Sequence, residues 1–420
     1  MPPEDFCAID FGTSNSAIGI PAANGTMQLV ELEPGFRTMP TAVFYNAEDH
    51  SKCFGRAAVA AYVEGVDGRL MRSIKSILGS DLIEQSTEVG HGIAIKYLDV
   101  VIGYLKHLKH VAEASAGHAL PRAIIGRPVC FVDDDATRDN NAQASLRRAA
   151  LAAGFRDVEF QFEPIAAALD YESTIRDEEL VLVADIGGGT SDFSLVRVSA
   201  ARHAMLNRQA DILANHGIHV AGTDFDQAVN LAAIMPSLGY GSATPQGRVV
   251  PSRVYFDLAT WHLINTVYGN NRAIELREMN SMYVDKLGYQ RLLTAIRKRL
   301  GHHLAAAAEL AKIQVATAGF ATITLDAIEA SLTHEFTDAQ QAEALRTRIS
   351  KIVAAASETA RRAGVAHADV SALYFTGGST GLNFLTEEIA AQFPNAKRIV
   401  GDRFSSVVAG LAIFAQRKFG

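Results

Sequence analysis

Residues 181–194 read VLVADIGGGTSDFS, and residues 8–18 read AIDFGTSNSAI. Each stretch passes from an apolar strand to an aspartate, then through a glycine-rich turn with small hydroxyl residues into a second apolar segment. The second copy carries two extra residues in its turn. A pattern repeated after about 175 residues predicts two similar halves, not a short-period solenoid. A third turn, TGGST at 376–380, follows another apolar strand. Glycine lets a backbone approach a ligand and point consecutive N–H groups at one anion. Hydroxyls add donors, and an aspartate at a strand end can hold the water shell of Mg²⁺. Two such turns facing each other would clamp a polyphosphate, and the third, followed by a helix, could support a nucleoside.

Working outward, strands and helices alternate. Cys7–Asp10 and Ser16–Ile20 read as strands joined by a tight turn. Segments 54–64 and 69–78 read as helical, as do 95–114 and 136–153, the last stopped by Gly154. Extended segments are expected at 123–129, 158–162, 180–184, 321–325 and 372–375. Glu163-Pro164 opens a helix, with proline in its first turn. Thr337 and Gln340 form a capping-box pattern ahead of a helix whose Leu345, Ile349, Ile352, Val353, Ala356 and Ala360 repeat every 3.6 residues. A final helix is expected from Ser405 to Phe414. Alternation of this kind means an α/β fold with helices covering mixed sheets. The adjacent His302 and His303 are read as solvent-facing, because neighbouring helix residues point apart.

Composition narrows the function. The chain has 420 residues, 48% hydrophobic and 20% charged, as globular proteins do. Its 39 Lys and Arg against 46 Asp and Glu, a formal charge of −7, give no reason to expect nucleic acid or an anionic membrane as partner. Cys7, Cys53 and Cys130 form no CxxC pair, so neither a disulfide framework nor a zinc site is expected. An acidic N-terminus with two prolines is unlike a secretory signal, and no apolar run approaches a membrane span, so a cytoplasmic location is expected. Neither GxxxxGK[ST] nor strand–GxGxxG–helix occurs, which excludes a P-loop and leaves dinucleotide binding unsupported. Asp10-Phe11-Gly12 spells a protein-kinase motif, but only nine residues precede it.

The three turns, in this order, resemble the actin, sugar-kinase and heat-shock ATPase superfamily, and more specifically the nucleotide-binding domain of the heat shock protein 70 family. IDFGTSNS at 9–16 is similar to that family's first phosphate loop and VLVADIGGGTSDFS to its second. FEPIAAALDY at 162–171 resembles its first connecting helix, VAGTDFD at 220–226 the opening of the outer part of lobe II, and LYFTGGSTGLNFL at 373–385 its adenosine loop. In extent the chain is similar to the truncated, YegD-type members. The resemblance implies a bilobal, actin-like (ribonuclease H-like) ATPase fold with two duplicated α/β domains around a nucleotide cleft. It places lobe I at 1–178, joined by a C-terminal helix at 403–420, and lobe II at 179–402, with an outer helical subdomain at about 227–316.

The resemblance also implies roles. Asp10 and Asp185 organise Mg²⁺ through water. Gly12, Thr13, Ser14 and Asn15 belong to the first phosphate loop, and Gly187, Gly188, Gly189 and Thr190 to the second. Lys75, in KSILG, matches a catalytic lysine; Glu163 helps to position water and metal; Asp192 stands near the attacking water, with Thr190 beside it. Gly377, Gly378 and Ser379 contact adenosine, Gly222 lies with the nucleotide-binding residues, and Glu309 and Lys312, in ELAKIQVA, contact ribose and adenine. Plain structural roles compete with these: Lys75 or Lys312 as surface charge, Glu163 as a helix-terminal carboxylate, and Asp192 and Thr190 as turn residues.

Two departures matter. Ile313 and Ala316 stand where the family has an adenine-stacking arginine and a serine, and an aliphatic chain cannot replace a guanidinium stack. Ending at Gly420, the sequence is expected to lack the family's peptide-binding domain. The expected function is ATP/ADP binding with slow Mg²⁺-dependent hydrolysis, as a nucleotide switch read by a protein client or cochaperone. The alternatives are a non-hydrolysing nucleotide-binding cochaperone module, a sugar or small-metabolite kinase of the same fold, and a filament former.

Overall fold

A computed structural model describes residues 5–22, 27–90, 92–132, 135–401 and 406–419. It resolves into two compact units. The first holds the described residues up to Ile218, Ala355–Thr380 and those from Ile389 onward; the second holds His219–Ala354 and Gly381–Glu388.

The first unit contains two sheets with one topology. In one, Phe6–Phe11 pairs antiparallel with Asn15–Pro21, which pairs antiparallel with Met27–Leu29. On its other side Phe6–Phe11 pairs parallel with Arg122–Arg127, and that strand with Asp157–Phe162. In the other, Glu179–Ile186 pairs antiparallel with Ser191–Val198, followed by Ile212–Ile218, and parallel with Ala372–Thr376, followed by Lys397–Val400. The duplication read from the two motifs is therefore a duplication of whole sheets.

Period-two patterning explains how the first sheet is covered. Cys7, Ile9 and Phe11 face a core shared with Tyr104, Leu105 and Leu108 of the helix Tyr97–Ala116 and Leu146 of Ala136–Ala152. Phe6 and Ala8 face a second core, which takes in Ile165, Ala166 and Leu169, Val181 and Val183 of the other sheet, and Val408 and Leu411. Two helices fill that layer. Glu163–Glu172 starts at the expected Glu163-Pro164. Ser406–Phe419 answers the expected C-terminal helix, whose residues 403–405 and 420 lie outside the described residues. The far end of the first helix is fixed by a buried ion pair: Arg208 donates from both terminal nitrogens to Glu172, at 2.9 and 2.8 Å.

The second unit is mainly helical. Its helices are Gly222–Val229, Arg253–Ala259, Asn270–Glu278, Lys286–Arg297 and Gly301–Ala318, with a hairpin of Phe320–Thr324 and Thr333–Thr337. The capping box forms as expected: Thr337 N–H donates to Gln340 Oε1 at 2.9 Å, and Gln340 N–H to Thr337 Oγ1 at 3.4 Å, opening the helix Asp338–Arg362.

Two expectations are corrected. Segment 69–78 is not a helix: Gly68–Arg72 is a strand paired antiparallel with Ala42–Asn46, and a short 3₁₀ turn, Ile74–Ile77, follows. Leu70, Ile74 and Ile77 mimic helical spacing, but strand pairing captures the first half and Ser73, at φ 54° and ψ 35°, breaks the run. His302 is buried, not solvent-facing; its Nε2 lies 3.1 Å from Asn265 Oδ1 and its ring packs edge-on against Trp261. His303 is exposed. Among the described residues, no helix is long and apolar enough to cross a membrane, and Cys7, Cys53 and Cys130 form no disulfide.

Gly410 sets the spacing of the two central helices. A Cβ at this position would lie 1.8 Å from the Ala166 carbonyl oxygen. Gly410→Ala should therefore lower stability by about 3 kcal/mol, read as a lower urea midpoint with unchanged slope; an unaltered midpoint would contradict this packing.

Candidate active site

All three glycine turns lie at strand ends in the first unit. The first sits between Phe6–Phe11 and Asn15–Pro21, in register Asp10↔Ala17 and Phe11↔Ser16. A Cβ on Gly12 would lie 2.3 Å from the Asn15 carbonyl oxygen, so glycine is required there. The second turn is closed by Gly187 N–H donating to the Thr190 carbonyl at 3.0 Å, below the pair Asp185↔Asp192. The two turns touch: a Cβ on Gly188 would stand 2.5 Å from Ser14 Oγ. The third turn is bonded to the second. Thr376 pairs with Asp185, Ser379 Oγ donates to the Gly187 carbonyl at 2.7 Å, and Gly377 takes φ 87°. Any side chain on Gly377 would strike Asp185 Oδ1 and the Ile186 carbonyl.

Lys75 and Glu163 meet beside these turns. Lys75 is carried on the 3₁₀ turn and is 8% exposed, which settles that it is not a solvated surface lysine. Its Nζ donates to Glu163 Oε1 at 2.7 Å. Burial pushes the ammonium down, but Glu163, Asp10 and Asp185 together outweigh it and hold Lys75 above its ordinary value. The carboxylates fare differently. Burial, reinforced by Glu163 and opposed by Lys75, pushes Asp10 up to about 7. Burial, with Asp192, Glu163 and Asp10 adding to it, pushes Asp185 up to about 8. Three acidic side chains, Asp10, Glu163 and Asp185, thus share the Lys75 ammonium, and acidic groups outnumber it.

That deficit is the fit test for a cation. Among the described residues no three His, Cys, Asp or Glu side chains converge to hold a bare ion. Two half-buried carboxylates next to glycine turns suit instead an ion that keeps its water and shares phosphate oxygens, as Mg²⁺ does.

The remaining expected residues divide. Thr13, Gly189 and Thr190 are half-buried in the two turns, and Asn15 and Asp192 are exposed there. Gly378 opens the short turn Gly378–Gly381. Gly222, Glu309 and Lys312 belong to the second unit. There Gly222 starts a helix, Glu309 is exposed, and Lys312 is 2.6 Å from Asp226 Oδ1. Ile313 is 50% exposed and Ala316 half-buried.

Some of the site escaped the sequence reading. Glu163, Asp185 and Asp192 line a pocket together with Pro128, Cys130 and His216. The wall at Pro128–Phe131 is organised by Arg127, which donates to the carbonyls of Pro128 and Val129 and to Asp139 Oδ2, while Asp139 Oδ1 accepts from Phe131 N–H. The signal available was an arginine among apolar strand residues, just before a proline.

With this geometry in place, the comparisons have a context. The family model described as Hsp70 protein matches residues 6–234, more than half of the chain. The chain belongs to the Hsp70 family, and its α/β fold is the duplicated, actin-like ATPase fold. It is 30% identical over 231 residues to the chaperone protein DnaK of Mycoplasmopsis pulmonis and 30% identical over 228 residues to that of Thermosipho melanesiensis. Each match covers 54% of this chain and 35% of the relative, so only about a third of each relative's length is spanned. The matched stretch includes the first two glycine turns, Lys75, Glu163 and Gly222. Gly377, Gly378, Ser379, Glu309 and Lys312 lie beyond it.

Removing the Lys75 ammonium should be costly. Lys75→Met leaves Glu163, Asp10 and Asp185 without their cation and should cost about 3 kcal/mol of stability. Adding Glu163→Leu should recover about 1 kcal/mol or more of it in a denaturation double-mutant cycle. Strictly additive effects would show that the pair is not coupled.

Proposed function

We propose that this chain binds ATP with Mg²⁺ and hydrolyses it slowly, as the nucleotide-operated part of a switch. The observation that carries the reading is the contact of the two glycine turns, Gly188 against Ser14, directly beside Asp10, Asp185 and the Lys75–Glu163 pair. In this reading the backbone N–H groups of 12–14 and 188–190 cradle the phosphates, Gly187 closes the second turn, and Gly377, Gly378 and Ser379 support the nucleoside. Gly222, Glu309 and Lys312 complete the nucleotide contacts, as the family resemblance implies.

Asp10 and Asp185 would hold Mg²⁺ through its water; when bound, the ion neutralises charge on phosphate oxygens. Lys75 sets its ammonium against the charge that develops on the transferred phosphoryl group. Glu163 and Asp192 accept hydrogen bonds from the attacking water and hold it in line, with Thr190 beside it. Positioning and electrostatics thus carry the reaction. We take the two duplicated sheets as the cores of lobes I and II, whose relative angle a protein client or cochaperone would read. The half-exposed Ile313 offers the base no guanidinium, so adenine is held less selectively than an arginine would hold it.

Phosphate release from Mg-ATP tests the assignment. Asp185→Asn and Lys75→Ala should each lower the basal rate by about tenfold or more. A clear wild-type rate untouched by both substitutions would refute the site. ATP binding with no release would favour a non-hydrolysing module, and a many-fold gain in ADP on adding one sugar would favour a kinase.

A further inference from the structure

We infer that Thr41 is a positioning residue that locks the first phosphate turn to the turn carrying Lys75. The functional half of this inference rests on the ATPase reading above; the geometric half does not.

Thr41 is 1% exposed, and every hydrogen-bonding group it has is engaged by one turn or the other. Its N–H donates to the Ser14 carbonyl at 2.9 Å. Its hydroxyl donates to the Gly12 carbonyl at 2.7 Å. The same oxygen lies 2.9 Å from Ser16 Oγ. A threonine hydroxyl has one proton, and that proton goes to Gly12, so Ser16 must be the donor in this last bond. The Thr41 carbonyl accepts from Ser73 N–H at 3.2 Å. Ser73 is the left-handed residue two positions before Lys75.

The strand registers put Thr41 at this junction. Pro40 pairs with Asn15 beside the first turn, and Ala42 pairs with Arg72 beside the Lys75 turn. The chain therefore leaves one sheet and joins another across a single residue. Four bonds at that residue fix Gly12, Ser14 and Ser16 relative to Ser73, and through it relative to the Lys75 ammonium. Since small displacements of a reacting group cost rate steeply, this junction bears on turnover more than on binding.

The valine variant has nearly the same shape without the hydroxyl. Thr41→Val removes the bonds to Gly12 and Ser16 and keeps both backbone bonds, so hydrogen–deuterium exchange should rise about threefold or more in segment 10–16 and less in segment 72–78. Phosphate release should show kcat down about tenfold with KM for ATP changed less than threefold. Thr41→Ser keeps the hydroxyl and should restore both readouts to within about twofold of wild type. A merely structural role would lower the denaturation midpoint without separating kcat from KM. Exchange unchanged in segment 10–16, or kcat retained in Thr41→Val, would overturn the inference. If the wild type releases no phosphate, the ATPase reading falls and the exchange arm alone judges Thr41. If Thr41→Val does not fold, Thr41→Cys, a weak donor of similar size, is judged by the same criteria.

Discussion

The ammonium of Lys75 stands among Asp10, Glu163 and Asp185 as their shared counter-charge, and the rest of the site is arranged around that imbalance. Such a cluster is expensive to bury. Asp10 and Asp185 lie at equivalent places near the ends of paired strands in two sheets, each leading into a glycine turn. Glycine turns beside half-buried carboxylates make two demands, an anion for the first and a cation for the second. A metal–polyphosphate complex meets both demands at once.

The scaffold serves this arrangement. One helix presents Glu163 at its first residue to the site and Glu172 at its last to the buried Arg208, so its axis is held at both ends. Its face lies directly against Ser406–Phe419, at a distance only Gly410 permits. The strand Phe6–Phe11 alternates between two cores, so Asp10 cannot shift register without turning its neighbours the wrong way. Chain order in the two sheets is the same, which is why two distant sequence motifs become neighbouring turns.

Legibility followed locality. The paired strand–turn–strand motifs, the helix opening at Glu163-Pro164 and the Thr337/Gln340 cap are encoded within a few residues of one another, and all were readable from the chain. Segment 69–78 was misread because its fate depends on a partner strand, Ala42–Asn46, that no local pattern announces. His302 was misread because Asn265 and Trp261 supply its burial from elsewhere in the chain. Thr41 and Arg127 were invisible for the same reason: each acts through bonds to carbonyls, and any buried threonine or arginine looks alike until the backbone around it is placed. Lys75 could be suspected from KSILG, but its burial against Glu163, 88 positions away, could not.

The central claim is that charge-starved carboxylates and glycine turns form one site for a metal–polyphosphate. Calorimetric titration of ATP into the whole chain, with Mg²⁺ and with a chelator, addresses it most directly. The account predicts one ATP bound per chain, with an affinity about tenfold or more higher when Mg²⁺ is present. Equal affinity with and without Mg²⁺, or no binding heat at all, would contradict it.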